Sequence, residues 1–403
     1  MTDALAFRGV DIVFGSGSGA RRRRQREEAL RLLEAGKTRS EIAAKTGAVV
    51  GVADATLSVP EGEICVLMGL SGSGKSTLLR AANGLNPATR GQVLVRDGAA
   101  VVDVASCDAR TLRRVRMERV AMVFQQFALL PWRTVRENVG FGLELRGMPQ
   151  AERRHIIDEK LALVGLDQWG DRYAAELSGG MQQRVGLARA FATNADILLM
   201  DEPFSALDPL IRTKLQDELL ALQAAVKKTI LFVSHDLDEA LKLGNSIAIM
   251  EGGRIVQTGT AEDIVLRPAD AYVAEFVQHM NPLNVLKART VMRPLAALRR
   301  DGNGLVWLDH DGRYAVVLDD RQRPLAARLA GTKLPIAQAD DAAGIKLVPA
   351  DTPLREVVRL RQVSGHPVLL AEAERLAGVC DDAEMLGALC GVARAETAAN
   401  ADA

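Results

Sequence analysis

Residues Gly69-Leu70-Ser71-Gly72-Ser73-Gly74-Lys75-Ser76-Thr77 constrain this chain more than any other stretch. They fit the phosphate-loop pattern G-x-x-x-x-G-K-[ST]. A phosphate seated at a helix N-terminus needs backbone N–H groups turned toward it and no side chains in its way. Glycines at 69, 72 and 74 meet that need. The flanks agree: Ile64 to Met68 (I-C-V-L-M) reads as a short buried strand, and Thr77 to Asn83 as the start of a helix. In such a loop Lys75 reaches the β- and γ-phosphates of a nucleotide, and the Ser76 hydroxyl holds Mg²⁺. The competing reading is a Gly/Ser-rich turn with a chance lysine; it leaves the flanking strand and helix unexplained.

At 403 residues the chain is too long for one core, so two or more domains are expected. Lys+Arg and Asp+Glu both number 51, and a zero net charge argues against a general nucleic-acid binder, which would be basic. The four cysteines (65, 107, 380 and 390) form no CxxC pair and no zinc spacing, and read as reduced thiols. No apolar run reaches the roughly 18 residues of a membrane span. The N-terminus carries no signal-peptide pattern, so any membrane role is expected to come through a partner.

Strands alternate with helices over the first two thirds of the chain, which predicts a doubly wound α/β domain over residues 1–270. A first strand spans 7–14. A helical insertion over about 16–50 follows, with a Gly/Ser loop, the run Arg21 to Arg24, two short helical patterns within 25–46, and a capping box from Thr38 and Glu41. The arginine run reads as a solvated face or as a contact for lipid head groups or a membrane partner. Residues 91–103 are rich in β formers, 109–119 suggest a basic helix, and about 126–190 form a mainly helical subdomain. Strands are expected at 121–124, 196–200 and 229–234, a helix at 209–226, and a β tail at 247–259. Phe127, Leu130 and Trp132 suit a groove for a partner helix or, equally, core packing of the subdomain.

Two further stretches carry chemistry. Ile197-Leu198-Leu199-Met200-Asp201-Glu202 is an apolar strand that delivers two carboxylates at its end. Asp201 suits a Mg²⁺ role and Glu202 a general base acting on water. Leu177-Ser178-Gly179-Gly180-Met181-Gln182 opens a helix with a serine and two glycines, a second surface for phosphate. Taken singly, each could be an ordinary turn or helix cap.

Together with these stretches, the order of motifs resembles the ATP-binding cassette (ABC) ATPases. Gly69–Thr77 is similar to their P-loop, Gln125 to the Q-loop glutamine, and Leu177–Gln182 to the signature. Ile197–Glu202 is similar to Walker B, Ser205-Ala206-Leu207-Asp208 to the D-loop, and His235 to the switch histidine. The resemblance covers residues 1–270 and implies an α/β P-loop domain with a helical subdomain. It also implies a head-to-tail homodimer in which each ATP lies between one copy's Gly69, Ser71, Gly72, Ser73, Gly74, Lys75, Ser76 and Thr77 and the other copy's Ser178, Gly179 and Gly180, with Asp208 nearby. Catalysis would involve Glu202, His235 and Gln125; Mg²⁺ would meet Ser76, Gln125 and Asp201. Adenine would stack on an aromatic of the first strand, with Phe14 the candidate and Phe7 the alternative.

The insertion around Gly36-Lys37-Thr38 and the stretches 68–74, 124–131 and 205–212 look like bacterial importers of quaternary amines: choline, glycine betaine or proline betaine. Met280-Asn281-Pro282-Leu283-Asn284-Val285-Leu286 looks closer to the choline branch. Importers of another osmoprotectant or of an amino acid, and soluble ABC ATPases outside transport, are the alternatives. The resemblance implies transmembrane permease subunits, a periplasmic or extracellular substrate-binding protein, no nucleic acid, and a peripheral site on the cytoplasmic face of the inner membrane.

Residues 282–403 read as a separate small α/β unit. Residues 347–390 follow β-α-β-β-α, with Asp351 or Thr352 and then Asp381 as helix caps, and resemble one cystathionine-β-synthase-type (CBS) module. Tyr314 to Leu318 with Pro324-Leu325, and a helix from 292–301, would make a degenerate first copy. Asp381 and Glu384 stand where nucleotide-binding modules carry Ser/Thr and Asp, so nucleotide binding is not expected in this tail.

Overall fold

A computed structural model describes residues 2–278, 283, 285–301, 305–309, 311–339, 341 and 343–390. The chain divides into two compact units, Met1–Ile264 with Ala269–Phe276, and Val265–Pro268 with Val277–Ala403.

The first unit runs β1 (Asp3–Phe14), α1 (Gly19–Glu34), α2 (Arg39–Thr46), β2 (Val49–Pro60), β3 (Ile64–Met68), α3 (Lys75–Leu79), β4 (Arg90–Asp97), β5 (Ala100–Asp103), α4 (Ala109–Arg114) and β6 (Val120–Val123). It continues through α5 (Val135–Leu145), α6 (Gln150–Leu163), α7 (Gly179–Ala192), β7 (Ile197–Asp201), α8 (Pro209–Val226), β8 (Thr229–Val233), α9 (Leu237–Leu243), β9 (Ser246–Glu251) and β10 (Arg254–Gly259). Helices α10 (Ala261–Leu266) and α11 (Ala271–Val277) follow.

Two sheets build this unit. One has the order β10-β9-β3-β8-β7-β6, parallel throughout except for β10. The other is antiparallel, β2-β1-β4-β5. Strands β3, β7 and β8 are buried at every residue, as parallel strands covered on both faces must be. Leu5, Phe7 and Val10 of β1 share one core with Cys65 and Leu67 of β3, Leu199 of β7, Leu231 and Val233 of β8, and Leu78 and Leu79 of α3. Burial raises the Cys65 thiol to about 11, which suits an inert core cysteine.

The insertion is a packed piece of this unit. Ala29 and Leu33 of α1 and Ile42 of α2 bury against Val13 of β1 and Val50 and Ala53 of β2. The Thr38–Glu41 capping box forms as expected, and α2 ends on Gly47 in the left-handed region at φ 67°. Helix α1 starts earlier than the sequence suggests, so the exposed Arg21 to Arg24 lie in its first turns. The basic helix expected at 109–119 divides into α4 and a π turn over Val115–Arg119.

The second unit holds α12 (Ala288–Val291), β11 (Arg293–Pro294), β12 (Leu305–Trp307), β13 (Tyr314–Leu318), β14 (Pro324–Leu329), β15 (Thr332–Leu334), β16 (Ile336–Ala337), β17 (Ile345–Pro349), α13 (Leu354–Ser364), β18 (Val368–Glu372), β19 (Arg375–Cys380) and α14 (Asp382–Cys390). Its sheets are β11-β19-β18-β17-β16 and the antiparallel meander β12-β13-β14-β15. The β-α-β-β-α pattern appears over 345–390.

Two local expectations for this unit fail, the helix from 292–301 and the cap at Asp351 or Thr352. The hairpin β13–β14 forms, but inside the meander. The helix expected from 292–301 does not form: Arg293 precedes a proline, which disfavours helical backbone, and it pairs with Val379 as a strand residue. Pro353, not Asp351 or Thr352, occupies the cap of α13, while Asp351 pairs with Arg289 at 2.8 Å. Asp381 stands at the cap of α14 as expected: its N–H donates to Glu384 Oε2 at 2.9 Å and its carbonyl oxygen accepts from Met385 N at 3.1 Å, while its carboxylate takes Arg361 Nε at 2.7 Å. Of the choline-like stretch, residues 280–282 and 284 lie outside the described residues.

Candidate functional site

The parallel order β3-β8-β7-β6 sets four strand C-termini side by side, the edge where open α/β sheets bind ligands. The glycine-rich loop follows β3, His235 follows β8, Asp201 and Glu202 end β7, and Gln125 follows β6.

The loop's glycines are required by backbone and space. Gly69, Gly72 and Gly74 have φ of 140°, 78° and 104°. A Cβ at Gly69 would sit 2.2 Å from the Met250 carbonyl oxygen, and one at Gly74 2.5 Å from that of Gly51. A Cβ at Gly72 would meet open space. Lys75 is 7% exposed, and its Nζ donates to Gly69 O at 2.8 Å and Leu70 O at 3.0 Å. Burial pulls its pKa below the usual lysine value, while Glu202 and Asp201 oppose that shift. The Ser73 hydroxyl is buried with no hydrogen-bond partner. A buried hydroxyl without a partner beside a curled ammonium fits a loop built to receive an anion.

Asp201 is fully buried and accepts from Ser76 Oγ at 2.7 Å and from Arg80 Nη2 at 2.8 Å. Hydroxyl and carboxylate oxygens are the donors Mg²⁺ prefers. Glu202 lies next to it at φ 50°. One oxygen of Glu202, Oε2, accepts from Gln125 Nε2 at 3.1 Å and stands 3.4 Å from His235 Nδ1. Three candidates separated by up to 110 positions (235 − 125) in sequence therefore meet on a single carboxylate oxygen.

The two aromatic candidates part clearly. Phe7 is fully buried in the core and is excluded as a stacking platform; Phe14 is 38% exposed. A Cβ added to Gly51 would lie 2.8 Å from Phe14 Cε2 and 3.0 Å from Thr77 Cγ2, so the ring borders the loop helix. Ser178 caps α7 by accepting from Met181 N at 3.4 Å, and it and Gly179 are exposed. Asp208 caps α8 by accepting from Ile211 N at 3.0 Å. Among the described residues no hydrogen bond joins 178–180 to 69–77.

A family model described as "ABC transporter" matches residues 52–205. The glycine betaine/carnitine transport ATP-binding protein GbuA of Listeria monocytogenes is 44% identical over 372 residues, covering 89% of this chain and 93% of that protein. The glycine betaine/proline betaine transport system ATP-binding protein ProV of Escherichia coli is 44% identical over 384 residues, covering 90% and 94%. The chain belongs to the ATP-binding subunits of ABC transporters. A dimeric post-hydrolysis structure of the ATP-binding cassette MJ0796 bound to ADP and Pi superposes with TM-score 0.53 at 28% identity, over 64% of this chain and 98% of that one. The cassette fold expected from the motifs is therefore present, and this ABC subunit is an ATPase.

Sequence reading missed two contributors to the site. Arg80 neutralises Asp201 from one turn beyond the loop. Gln183, fully buried in α7, donates through Nε2 to Glu202 O at 3.2 Å and accepts from Ala206 N at 3.1 Å, so it ties the signature helix to the end of β7. A buried glutamine within an otherwise apolar helix face was the available signal. The segment after Gln125 is also held: Phe127 and Ala128 sit at φ 60° and 48°, and their carbonyls accept from Arg189 at 2.9 and 2.7 Å. Trp132 is 71% exposed, whereas Phe127 and Leu130 are half-buried.

Proposed function

We propose that this subunit hydrolyses ATP to drive import of glycine betaine or a related quaternary amine, such as choline or proline betaine, through a separate permease. The observation that carries the substrate class is the 44% identity to GbuA across 93% of that protein's length. The working unit is a homodimer bound to transmembrane permease subunits, served by a periplasmic or extracellular binding protein, on the cytoplasmic face of the inner membrane. No helix among the described residues is long and apolar enough to cross a membrane, consistent with attachment through a partner. The exposed Trp132 suits a contact with a permease helix.

In the reaction a water oxygen attacks the γ-phosphorus, the bond to the bridging oxygen of the ADP leaving group breaks, and Glu202 takes the water's proton. Gln125 and His235 hold the water and the γ-phosphate oxygens in line. Lys75 and the amides of 69–77 bind the β- and γ-phosphates, and Phe14 stacks on adenine. Ser76, Asp201 and Gln125 would hold Mg²⁺, which would supply positive charge at the phosphate oxygens. The 3.1 Å contact from Gln125 to Glu202 supports these roles.

The test is ATP-dependent uptake of labelled glycine betaine into vesicles containing the permease and this subunit. Uptake competed by choline, proline betaine or carnitine is the expected result. Uptake of sulfate or an amino acid with no quaternary-amine transport would overturn the substrate class.

The second unit, CBS-like over 345–390, regulates and takes no part in the chemistry, because all candidate ATPase residues lie between positions 14 and 235. A chain ending at residue 285 is expected to keep ATP hydrolysis. If that chain folds, by circular dichroism, yet does not hydrolyse ATP, the tail belongs to the catalytic machinery.

A further inference from the structure

Helix α2 puts a cation on the glycine-rich loop from outside the loop's own motif. Arg39 Nη1 donates to the Gly72 carbonyl oxygen at 3.1 Å, across 33 positions of sequence. Gly72 is the apex residue at φ 78°, with open space where a side chain would be. Among the described residues Arg39 pairs with no carboxylate, so one carbonyl takes one of its five N–H donors and the charge is not neutralised locally.

The placement of Arg39 is built in. It is the first residue of α2, immediately after the Thr38 cap. The hydrogen bond from Thr38 N at 2.8 Å and the Thr38 hydroxyl hold the Glu41 carboxyl down to about 2, so the cap stays charged and intact near neutral pH. Ile42, three residues on, is fully buried against β1 and β2. Arg90 then ties Glu34 at the end of α1 to the buried Asp11 of β1. The insertion therefore meets the loop directly through Arg39 and indirectly through the strands it packs against. Arg39 lies on the apex, while Phe14 and Gly51, on strands the insertion packs against, border Thr77 and Gly74.

We propose that Arg39 is a positioning residue that sets ATP affinity, which makes the α1–α2 insertion a working part of the nucleotide site. This rests on the reading of 69–77 as the ATP phosphate loop. By keeping the Gly72 carbonyl oxygen on its own guanidinium, Arg39 resists a peptide flip that would turn that oxygen toward the phosphates. Its uncompensated charge also favours a nearby polyanion.

The experiment measures the equilibrium Kd for ATP in the absence of Mg²⁺ by calorimetry, alongside KM and kcat, on the full chain. Arg39→Ala is expected to weaken binding and raise KM by about tenfold, the size of one charge-assisted hydrogen bond, with kcat little changed. Arg39→Lys should recover most of the loss, because an ammonium also donates to a carbonyl. Arg23→Ala, which removes an exposed cation of the same insertion paired with Glu27, should bind ATP as the unaltered chain does. Lys75→Ala reports on the underlying reading and should lose binding.

Wild-type Kd in Arg39→Ala, with binding lost in Lys75→Ala, overturns the inference and leaves the site reading standing. Undiminished binding in Lys75→Ala overturns the site reading itself. A loss of kcat without a change in Kd, or an equal loss of affinity in Arg23→Ala, overturns the pinning role in favour of a general effect of the insertion. Thermal melting of Arg39→Ala at the wild-type temperature shows that any loss is local to the loop.

Discussion

Glu202→Gln is expected to lower ATP turnover by about 10²–10⁴-fold while ATP binding and dimerisation persist, the usual size of a general-base effect. The substitution is isosteric, and the backbone at 202 is held by groups it leaves in place. Glu202 N donates to Val233 O at 3.1 Å, and Gln183 Nε2 and Ser205 Oγ donate to the Glu202 carbonyl at 3.2 and 3.0 Å. The φ of 50° at this position costs a glutamine no more than a glutamate. What disappears is a carboxylate oxygen able to accept the proton of the attacking water, at the point where Gln125 and His235 converge. Steady-state phosphate release with nucleotide binding as control makes the measurement. Near-normal turnover would remove Glu202 from the role of base.

Mixing Lys75→Ala chains with Ser178→Arg chains is expected to restore function that neither parent shows. If each site is assembled from the loop of one copy and the signature of the other, a heterodimer collects both defects in one site and leaves the second site intact. Each substitution acts locally. Lys75 is curled into its own loop, and Ser178 is an exposed helix cap, whose loss costs about 1 kcal/mol. Turnover and tightly held nucleotide per dimer are both read, so a site that binds but must fire together with its twin still registers. A mixture with verified heterodimers that shows neither signal would overturn the shared site.

Some of this protein was written in local sequence. The loop at 69–77, the Thr38–Glu41 box, the apolar run ending in Asp201-Glu202 and the strand–helix alternation each depend on neighbours a few positions apart. Period and composition report such features directly. The choice between Phe7 and Phe14 was not local. Both lie on β1, whose pairing with β2 is broken by register shifts between Phe7 and Val10, Val10 and Ile12, and Ile12 and Val13. Each irregularity can change which face the following residues present, so alternation could not say which ring is buried. Arg80 on Asp201 spans 121 positions, Gln183 on Glu202 spans 19, and Arg39 on Gly72 spans 33. None of these carries a periodic signal, because they arise where separate elements cross. In the tail, the β-α-β-β-α run was legible, but the meander beside it and the loss of the 292–301 helix were not. There Arg293 takes a partner, Val379, that lies 86 positions (379 − 293) away, and a strand pairing chosen by tertiary packing overrides the local helical pattern.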